Sequence, residues 1–393
     1  MTSENLNSNE PEKDFSFSFV SSLNDVQRAE WNVLVEDGDP FLSYEFLSAL
    51  ERNDCLGEKY GWFPHHLIVR LNNKIIAATP LYIKTNSYGE FVFDWSWASA
   101  YEQAGLNYYP KLISSIPYTP VTSRRLLLSP ELNLAQKSRL TSEMIAATIS
   151  ESKKLNMSGM HWLFNEVDEC AYFKRQNLMF RLGCQYHWQN NNYDTFEHFL
   201  ENFISRKRKK VKQERRYVKE QNIEIKRLHG SDLTEEQWNQ IHALYENTFH
   251  RKSGIPTLSL NFFKEIGATM GEKIMLVLSY SDKQLVACAI NFSSMSKLYG
   301  RFWGCTQTIH SLHFEACYYQ GIEYAIENKL KIFEPGAQGE HKISRGFLPT
   351  QTWSAHNIND DRFEPTIRDF CVREKQYMQQ DCKELLTLSP YHT

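Results

Sequence analysis

The sequence has no C-x-x-C pair among its eight cysteines and no apolar run close to the roughly 18 residues that a membrane span needs. It also lacks the apolar segment that a secretory signal would place near its first residue. A chain of 393 residues can bury a core without disulfides, so we expect reduced structural thiols rather than a disulfide framework. Together these absences predict a cytoplasmic protein.

The sequence also lacks any overall excess of basic residues. Its 44 Lys and Arg residues face 47 Asp and Glu residues, which leaves a formal net charge of −3. This balance excludes a globally basic nucleic-acid binder, although a local basic patch is compatible with it.

Length and patterning predict two domains of mixed α/β structure. At about 150 residues per domain the chain is long enough for two, and strand patterns alternate with helix patterns along it. No Pro/Gly/Ser-rich linker separates two halves, so we expect closely packed domains with a shared interface. The predicted division is a disordered tail at 1–14, an N-terminal domain at 15–195, a C-terminal domain at 196–386 and a tail at 387–393.

Two segments about 210 residues apart show the same order of elements, which indicates internal duplication. Each segment is predicted to form a hairpin whose second strand carries small residues, followed by an aromatic strand. The hairpins are His66–Leu71 with Lys74–Ile83 and Lys273–Tyr280 with Gln284–Phe292, and the aromatic strands are Glu90–Trp97 and Lys297–Trp303.

Helical periodicity is clearest after the second copy. Between Ser311 and Lys329, five apolar residues fall on one helical face: Leu312, Ala316, Tyr319, Ile322 and Ile326. A strand at Lys331–Glu334 then precedes Pro335-Gly336. Further helices are predicted at Phe196–Gln221 and Pro365–Leu386.

The order hairpin, strand, helix, strand is that of the GNAT acyltransferase fold, and several strings make the family recognisable. The chain resembles the FemAB-like (peptidoglycan biosynthesis/recognition) family of predicted N-acyltransferases from about Phe15 to Glu374. The strings that carry the resemblance are Phe333–Lys342 (FEPGAQGEHK), Arg345-Gly346-Phe347, Gly300–Gly304, Leu312–Gly321 and the basic run Arg206–Arg216.

The resemblance implies two tandem GNAT-like domains with a basic helix, at 196–221, between them. It also implies relatedness to Fem-type enzymes, which transfer amino acids from aminoacyl-tRNA to peptidoglycan precursors. We therefore expect an N-acyl- or aminoacyltransferase that acts on an amine, with a cell-wall precursor or a small molecule as acceptor.

Two alternatives stay open at this point: an acyl-CoA-dependent GNAT N-acetyltransferase, and a non-catalytic binding module for a peptidoglycan-like or anionic ligand. The segment between Trp303 and Ser311 has no G-x-G loop for a CoA pyrophosphate, which disfavours acyl-CoA over aminoacyl-tRNA as donor. No cofactor is assigned.

The basic run is the first candidate site. It is either a solvated helix face or a phosphate-binding site for tRNA or another polyanion, and its density in a net acidic chain favours the second interpretation. The predicted anion-binding residues are Arg206, Lys207, Arg208, Lys209, Lys210, Lys212, Arg215 and Arg216.

The loop after Glu334 is the candidate catalytic site. His341 has an intrinsic pKa near 6.5 and suits a general base. Glu340 would orient His341 or hold the acceptor ammonium, and Arg345 would clamp an anion. Alternatively, Glu340 and Arg345 form an ion pair that pins the loop. The predicted substrate-binding residues are Glu334, Gly336, Gly339, Lys342, His313, Glu315, Tyr319 and Trp303.

Two further patterns carry weaker hypotheses. His310, His313 and Glu315 have a spacing that resembles a metal site, but no further ligand is evident and we predict no metal. The aromatic residues at 94–97 and 101–109 are interpreted first as core or domain interface. The alternative is an aromatic-walled pocket for an apolar or sugar-like acceptor.

Overall fold

A computed structural model describes residues 15–251, 254–337 and 339–392. The tail predicted at 1–14 therefore lies outside the described residues. Within these ranges, no helix combines the length and the apolar character that crossing a membrane requires.

Strands and helices alternate along the described chain. The strands are β1 Ser16–Val20, β2 Trp62–Pro64, β3 His66–Leu71, β4 Lys74–Thr79, β5 Tyr82–Lys84, β6 Lys111–Ser114, β7 Leu127–Leu128, β8 Gly159–Asn165, β9 Met179–Gln189, β10 Glu224–His229, β11 Ile274–Ser281, β12 Gln284–Ser293, β13 Lys297–Cys305, β14 Ile332–Glu334 and β15 Leu348–Ile358. The helices are α1 Arg28–Asn32, α2 Tyr44–Arg52, α3 Trp95–Gln103, α4 Leu134–Lys154, α5 Cys170–Arg175, α6 Phe196–Glu201, α7 Ser205–Glu220, α8 Glu235–Arg251, α9 Leu260–Met270, α10 Leu312–Phe314, α11 Gln320–Glu327 and α12 Glu364–Leu386. A π-helical turn, Glu315–Tyr319, joins α10 to α11, and a 3-10 helix spans Glu340–Arg345.

The described strands form two sheets. One has the order β1-β3-β4-β7, and the other has the order β10-β11-β12-β13-β14-β9-β15-β8-β6-β5-β2. Strands β4 and β5 are separated at Pro80, where the chain passes from the first sheet to the second. Because proline cannot donate to a strand ladder, it suits this point of departure.

The predicted duplication is confirmed by the strand pairing. In both hairpins the two turn residues have positive φ, at Asn72-Asn73 and at Asp282-Lys283, as a two-residue hairpin turn requires. A bulge interrupts both ladders two residues before the first strand ends, at Val69/Arg70 and at Ser279/Tyr280. The two hairpins therefore share one register, 210 residues apart.

The aromatic strand predicted at Glu90–Trp97 is wrong. This segment ends in helix α3, and the strand equivalent to β13 is β6. The alternation of aromatic residues suggested a strand, but Trp97 and Tyr101 are the buried residues of α3, spaced four apart as on one helical face.

The last strand of each half is exchanged between the halves. Strand β9, from the first half, pairs with β14 of the second, and β15, from the second half, pairs with β8 of the first. Strands β9 and β15 pair with each other in the middle of the large sheet. The exchange joins both lobes into one continuous sheet.

The two lobes pack closely against each other, as the absence of a linker sequence predicted, and their interface is aromatic. The ring of Phe41 lies 5.0 Å from that of Phe292, and the ring of Phe46, on α2, lies 5.5 Å from that of Phe262, on α9. All four side chains are buried, so the interface is part of the hydrophobic core.

The helix predicted at 196–221 is interrupted. Helices α6 and α7 are separated at 202–204. Tyr391, in the segment predicted as a tail at 387–393, pairs with Phe203 at this break. The Tyr391 hydroxyl donates to the Gly346 carbonyl at 2.7 Å. Gly346 has φ +97°, and a Cβ there would lie 2.8 Å from the Tyr391 oxygen, so glycine is required.

The central strand β9 also buries a histidine. The His187 side chain is 6% exposed, and its Nε2 lies 3.2 Å from Gln185 Oε1 and 4.0 Å from Glu334 Oε2. Burial, with smaller contributions from Lys297 and Lys342, lowers the pKa of His187 to about 3. The imidazole is therefore neutral in the folded protein.

We predict that His187 contributes to acid destabilisation. Below about pH 6.5, the ordinary pKa of histidine, His187 binds a proton in the unfolded chain but stays neutral in the folded protein. The free energy of unfolding therefore decreases as the pH falls from 6.5 toward 3. Between pH 7 and pH 5 the wild type should lose roughly 2 kcal/mol more than His187→Gln does. Urea unfolding at both pH values measures this difference, and equal pH dependence of the two proteins would contradict the prediction.

Candidate active site

A pocket opens where the parallel strands β13 and β14 separate. Their pairing covers Lys297–Tyr299 with Ile332–Glu334, and beyond it the chains diverge at Gly300 and Pro335. The cavity has a volume of about 260 Å³. One of its walls is formed by five residues of the FEPGAQGEHK string, so the structure brings part of the predicted catalytic segment to this pocket: Pro335, Gly336, Ala337, His341 and Lys342.

The equivalent point in the first lobe is filled. Strand pairing makes His161 on β8 the counterpart of Glu334 on β14, so the next residues, Trp162-Leu163-Phe164, correspond to Pro335-Gly336-Ala337. Trp162, Leu163 and Phe164 are buried in the core of their lobe. Small residues thus leave space in the second lobe where large ones occupy it in the first.

The polar lining of the pocket is basic. Among the described residues that line it there are two cationic side chains and two histidines, but no carboxylate. The principal side chains are Asn291, Arg301, Trp303, His313, Tyr318, His341 and Lys342. Such a lining favours an anionic ligand or a reacting group that develops negative charge.

His341 meets a tyrosine that the sequence did not indicate. Its Nε2 lies 2.9 Å from the Tyr318 hydroxyl, and burial, followed by the charges of Arg345 and Lys342, lowers the pKa of the imidazole. His341 is therefore neutral at pH 7 and able to accept a proton. Glu340, predicted to orient it, is exposed and makes no hydrogen bond or ion pair with a described residue. Tyr318 orients His341 instead.

Lys342 and Arg301 supply the positive charge. The Lys342 ammonium donates to the Gly336 carbonyl at 2.7 Å, and burial lowers its pKa to about 8. Arg301 donates to the Tyr118 carbonyl at 3.2 Å, while its Nε has no partner among the described residues. Burial lowers the pKa of Arg301 to about 10. The sequence pattern indicated Arg301 only as a member of the family string Gly300–Gly304.

The π-helical turn Glu315–Tyr319 places residues on two sides. Its Cys317 and Tyr318 line the pocket, whereas Glu315 and Tyr319 face helix α7. A π turn adds a residue to a helical turn, and such turns are frequent at functional sites. The predicted buried face of this helix is confirmed, but a regular 3.6-residue period does not predict the extra residue.

Arg345, the predicted anion clamp, is paired within the protein. Its guanidinium is buried and binds Glu214 of α7 through two contacts, Nη2 to Oε1 at 2.6 Å and Nε to Oε2 at 3.1 Å. It also donates to the His341 carbonyl at 2.7 Å. The Tyr319 hydroxyl donates to the same Glu214 carboxylate. Arg345 and Tyr319 are thus positioning residues that hold the loop against α7, and the alternative pair with Glu340 does not form.

A second ion-pair group engages two more of the residues predicted to bind ligands, Arg215 and Glu315. Arg215 binds Glu315 at 3.0 Å and Glu323 at 2.6 Å, and Glu315 is buried. Arg215 and Glu315 therefore attach α7 to the helix beside the pocket. The other basic residues of the run are exposed or half-buried: Arg206, Lys207, Arg208, Lys209, Lys210, Lys212 and Arg216.

The remaining predicted residues lie in or next to the pocket. Trp303 and His313 line it, with their ring centroids 5.4 Å apart. Gly336 lines it as well, and Gly339, with φ +114°, stands against the His341 ring, where a Cβ would lie 2.5 Å from Cε1.

Glu334 is buried on the neighbouring face, 3.9 Å from the Lys297 ammonium, and is absent from the lining. Burial raises the pKa of Glu334 to about 7. Nowhere in the described ranges do three potential metal ligands gather, the His310–Glu315 segment included.

Comparison with known proteins identifies the fold and the family. The FemAB-like model, described as peptidoglycan biosynthesis/recognition, matches residues 22–393, so the predicted family is confirmed. No curated protein matches the sequence.

Two solved structures share the fold. FemX superposes with a TM-score of 0.53 at 11% identity, over 87% of this chain and 98% of its own. The C-terminal domain of a protein named as a lysylphosphatidylglycerol synthetase from Agrobacterium fabrum gives 0.55 at 7% identity, over 88% and 95%. With the repeated topology, these likenesses confirm the predicted tandem GNAT-like fold, and the family is one of acyl- and aminoacyl-transferring enzymes.

We predict that the Glu214–Arg345 pair is required for stability. Glu214→Gln leaves the Arg345 charge buried without its counterion, which should lower the free energy of unfolding by about 3 kcal/mol. Glu220→Gln is the matched control, because Glu220 on the same helix pairs with Arg216 at 3.4 Å in solvent. That change should cost less than about 1 kcal/mol. Denaturant unfolding measures both, and decreases of equal size would contradict a structural role for Arg345.

Proposed function

Since the chain belongs to the FemAB-like family, we propose that it transfers an aminoacyl group from aminoacyl-tRNA to a primary amine, with a peptidoglycan precursor as the acceptor class. The observation that carries the proposal is the basic pocket between β13 and β14, where neutral His341 stands beside Lys342 and Arg301. Acyl transfer needs a proton acceptor and stabilisation of a developing oxyanion in one place.

Each pocket residue has a separate role in the proposed reaction. The acceptor amine attacks the ester carbonyl of the donor, and His341 takes the proton that the amine loses, with Tyr318 holding the ring. The negative charge that develops on the carbonyl oxygen is stabilised by Lys342, which is mostly protonated at pH 7 with its pKa of about 8. Collapse of the tetrahedral intermediate breaks the ester bond, and the departing tRNA hydroxyl regains a proton from His341.

Helix α7 would contact the phosphates of the donor. It packs beside the pocket through Glu214 and Arg345, and Lys210 is close enough for its charge to lower the pKa of His341. In this proposal the exposed cations of the helix bind the phosphates while the ester reaches the pocket. The segment 306–311, which follows β13, contains no glycine, so it lacks the loop that would cradle the pyrophosphate of acyl-CoA.

The direct test is a transfer assay with two labelled donors. A tRNA pool charged with radiolabelled amino acids and radiolabelled acetyl-CoA are each incubated with the protein and a panel of amines that includes a nucleotide-linked muropeptide. We expect label to pass from tRNA to an amine. Transfer from acetyl-CoA alone would replace the donor, and transfer from neither donor would overturn the proposal.

We predict that His341→Asn lowers kcat by roughly a hundredfold, the usual contribution of a general base. In the wild type, kcat/KM should fall at acid pH, below the ordinary histidine pKa of about 6.5, because protonated His341 cannot accept a proton. It should fall again above about pH 8, where Lys342 loses its charge. The acid limb should disappear in His341→Asn.

The matched control for His341→Asn is Glu340→Gln, the exposed neighbour, which should retain activity. Thermal unfolding of each variant accompanies the rate measurements. Retained turnover in His341→Asn together with a collapse in stability would assign the loop a scaffolding role.

We predict salt-dependent tRNA binding through α7. The logarithm of the binding constant should fall linearly with the logarithm of salt concentration, with a slope of roughly −0.7 to −0.9 per phosphate bound. Replacing Lys209 and Lys210 with Gln should weaken binding and reduce that slope by about one unit for each phosphate that the variant no longer binds. Filter binding across a salt series measures this. Salt-independent binding, or an unchanged slope, would leave α7 as a solvated helix face.

A further inference from the structure

A second pocket lies between the lobes, on the face of the central strands β9 and β15 that helix α12 covers. Its volume is about 260 Å³. Phe164 lies in β8 and Ala337 follows β14. The strand pairing makes the two residues equivalent, and both line the pocket. The apolar lining is formed mainly by Phe91, Phe93, Phe164, Leu182, Trp353 and Met378.

The outer wall of this pocket is anchored at both ends. Glu90 and Asp94 are buried, and both carboxylates bind the Lys111 ammonium, which lies 2.7 Å from Glu90 Oε2. Of the three residues between these carboxylates, Val92 packs against the core. The side chains of Phe91 and Phe93, on either side of it, are 40% and 43% exposed to solvent.

The backbone of this pocket is held in an unfavourable conformation. Phe91 has φ +62° and Phe164 has φ +55°, which is rare for bulky side chains. Such strain persists where the surrounding structure imposes it and is concentrated at ligand sites. Phe91 thus keeps an exposed position on the pocket wall, while Phe164 contributes to the wall from the core.

The polar groups of the pocket are already partnered. Arg181 binds Glu374 through two contacts, at 2.6 and 2.7 Å, and donates to the Phe93 carbonyl at 2.8 Å. Gln185 donates to the Pro120 carbonyl at 2.8 Å. With these hydrogen-bonding groups engaged, the surface that is left for a ligand is largely aromatic and aliphatic, so the pocket fits an apolar group.

This pocket adjoins the transfer pocket at Ala337, which lines both of them. From this adjacency we propose that the aromatic pocket binds an apolar portion of the acyl acceptor, whose amine reaches past Ala337 to His341. The inference rests on the proposed function, and it adds the substrate class: amines that carry an aliphatic or aromatic body. It also gives a role to the aromatic segment at 91–93, next to the residues for which the sequence suggested an aromatic-walled pocket.

The test uses a series of n-alkylamines from propylamine to octylamine, with binding to the full chain measured by calorimetry. Affinity should rise roughly fourfold with each methylene until the pocket is filled. Met378→Trp introduces a large ring from α12 into the pocket, so it should remove the dependence on chain length and weaken octylamine binding at least tenfold. Phe93→Ala, which removes half of the outer wall, should reduce the increment per methylene.

The matched control is Tyr377→Trp, at the adjacent position on α12, where the side chain is 70% exposed and does not line the pocket. It should bind the series as the wild type does. Affinity that is independent of chain length in the wild type, or an identical series in Met378→Trp, would overturn the inference.

The transfer step is tested separately with His341→Asn, which should retain the chain-length dependence and lose turnover. Intact chain-length dependence without transfer in any variant would refute the proposed function alone. Transfer to short amines with a flat binding series would refute the aromatic pocket alone.

Discussion

The pairing of β9 with β15 is the constraint on which the arrangement of both lobes depends. Each of these strands comes from one half of the chain and completes the sheet of the other half, so neither lobe has a closed sheet without its counterpart. The exchange gives each lobe one of two equivalent strand separations. The pocket under Phe91 and Phe93 is lined by residues of both β9 and β15, and it shares Ala337 with the transfer pocket.

The duplicated fold has an equivalent strand separation in each lobe, and the volume of the side chains there determines whether it is filled or open. In the first lobe Trp162, Leu163 and Phe164 fill the separation and stabilise the core, while Pro335-Gly336-Ala337 keeps it open in the second. The open pocket is basic. One lobe therefore presents the open pocket, and the other supplies Phe91 and Phe93 of the aromatic wall.

Local pattern predicted the hairpins, the helix after β13 and the family strings, because each depends on neighbouring residues. Local pattern gave wrong predictions where contacts between distant residues determine the conformation. The alternation at Glu90–Trp97 resembled a strand. In the structure, however, the carboxylates of Glu90 and Asp94 both bind Lys111, and the segment ends in α3. The loop that the sequence singled out lies at a pocket, but the sequence did not indicate the partners of its charged residues. Arg345 lies close to Glu340 in the sequence, but its counterion is Glu214, 131 residues away.

The sequence by itself determined the repeated α/β pattern, the family, the position of the loop after Glu334 and the density of charge on α7. Only the tertiary structure decided which of those charges are free. Arg215, Glu315, Tyr319 and Arg345 are engaged in buried contacts between α7, the π-helical turn and the loop, so they position the site. The physical reason is desolvation: a buried charge must find a partner, and which partner it meets depends on how distant segments pack.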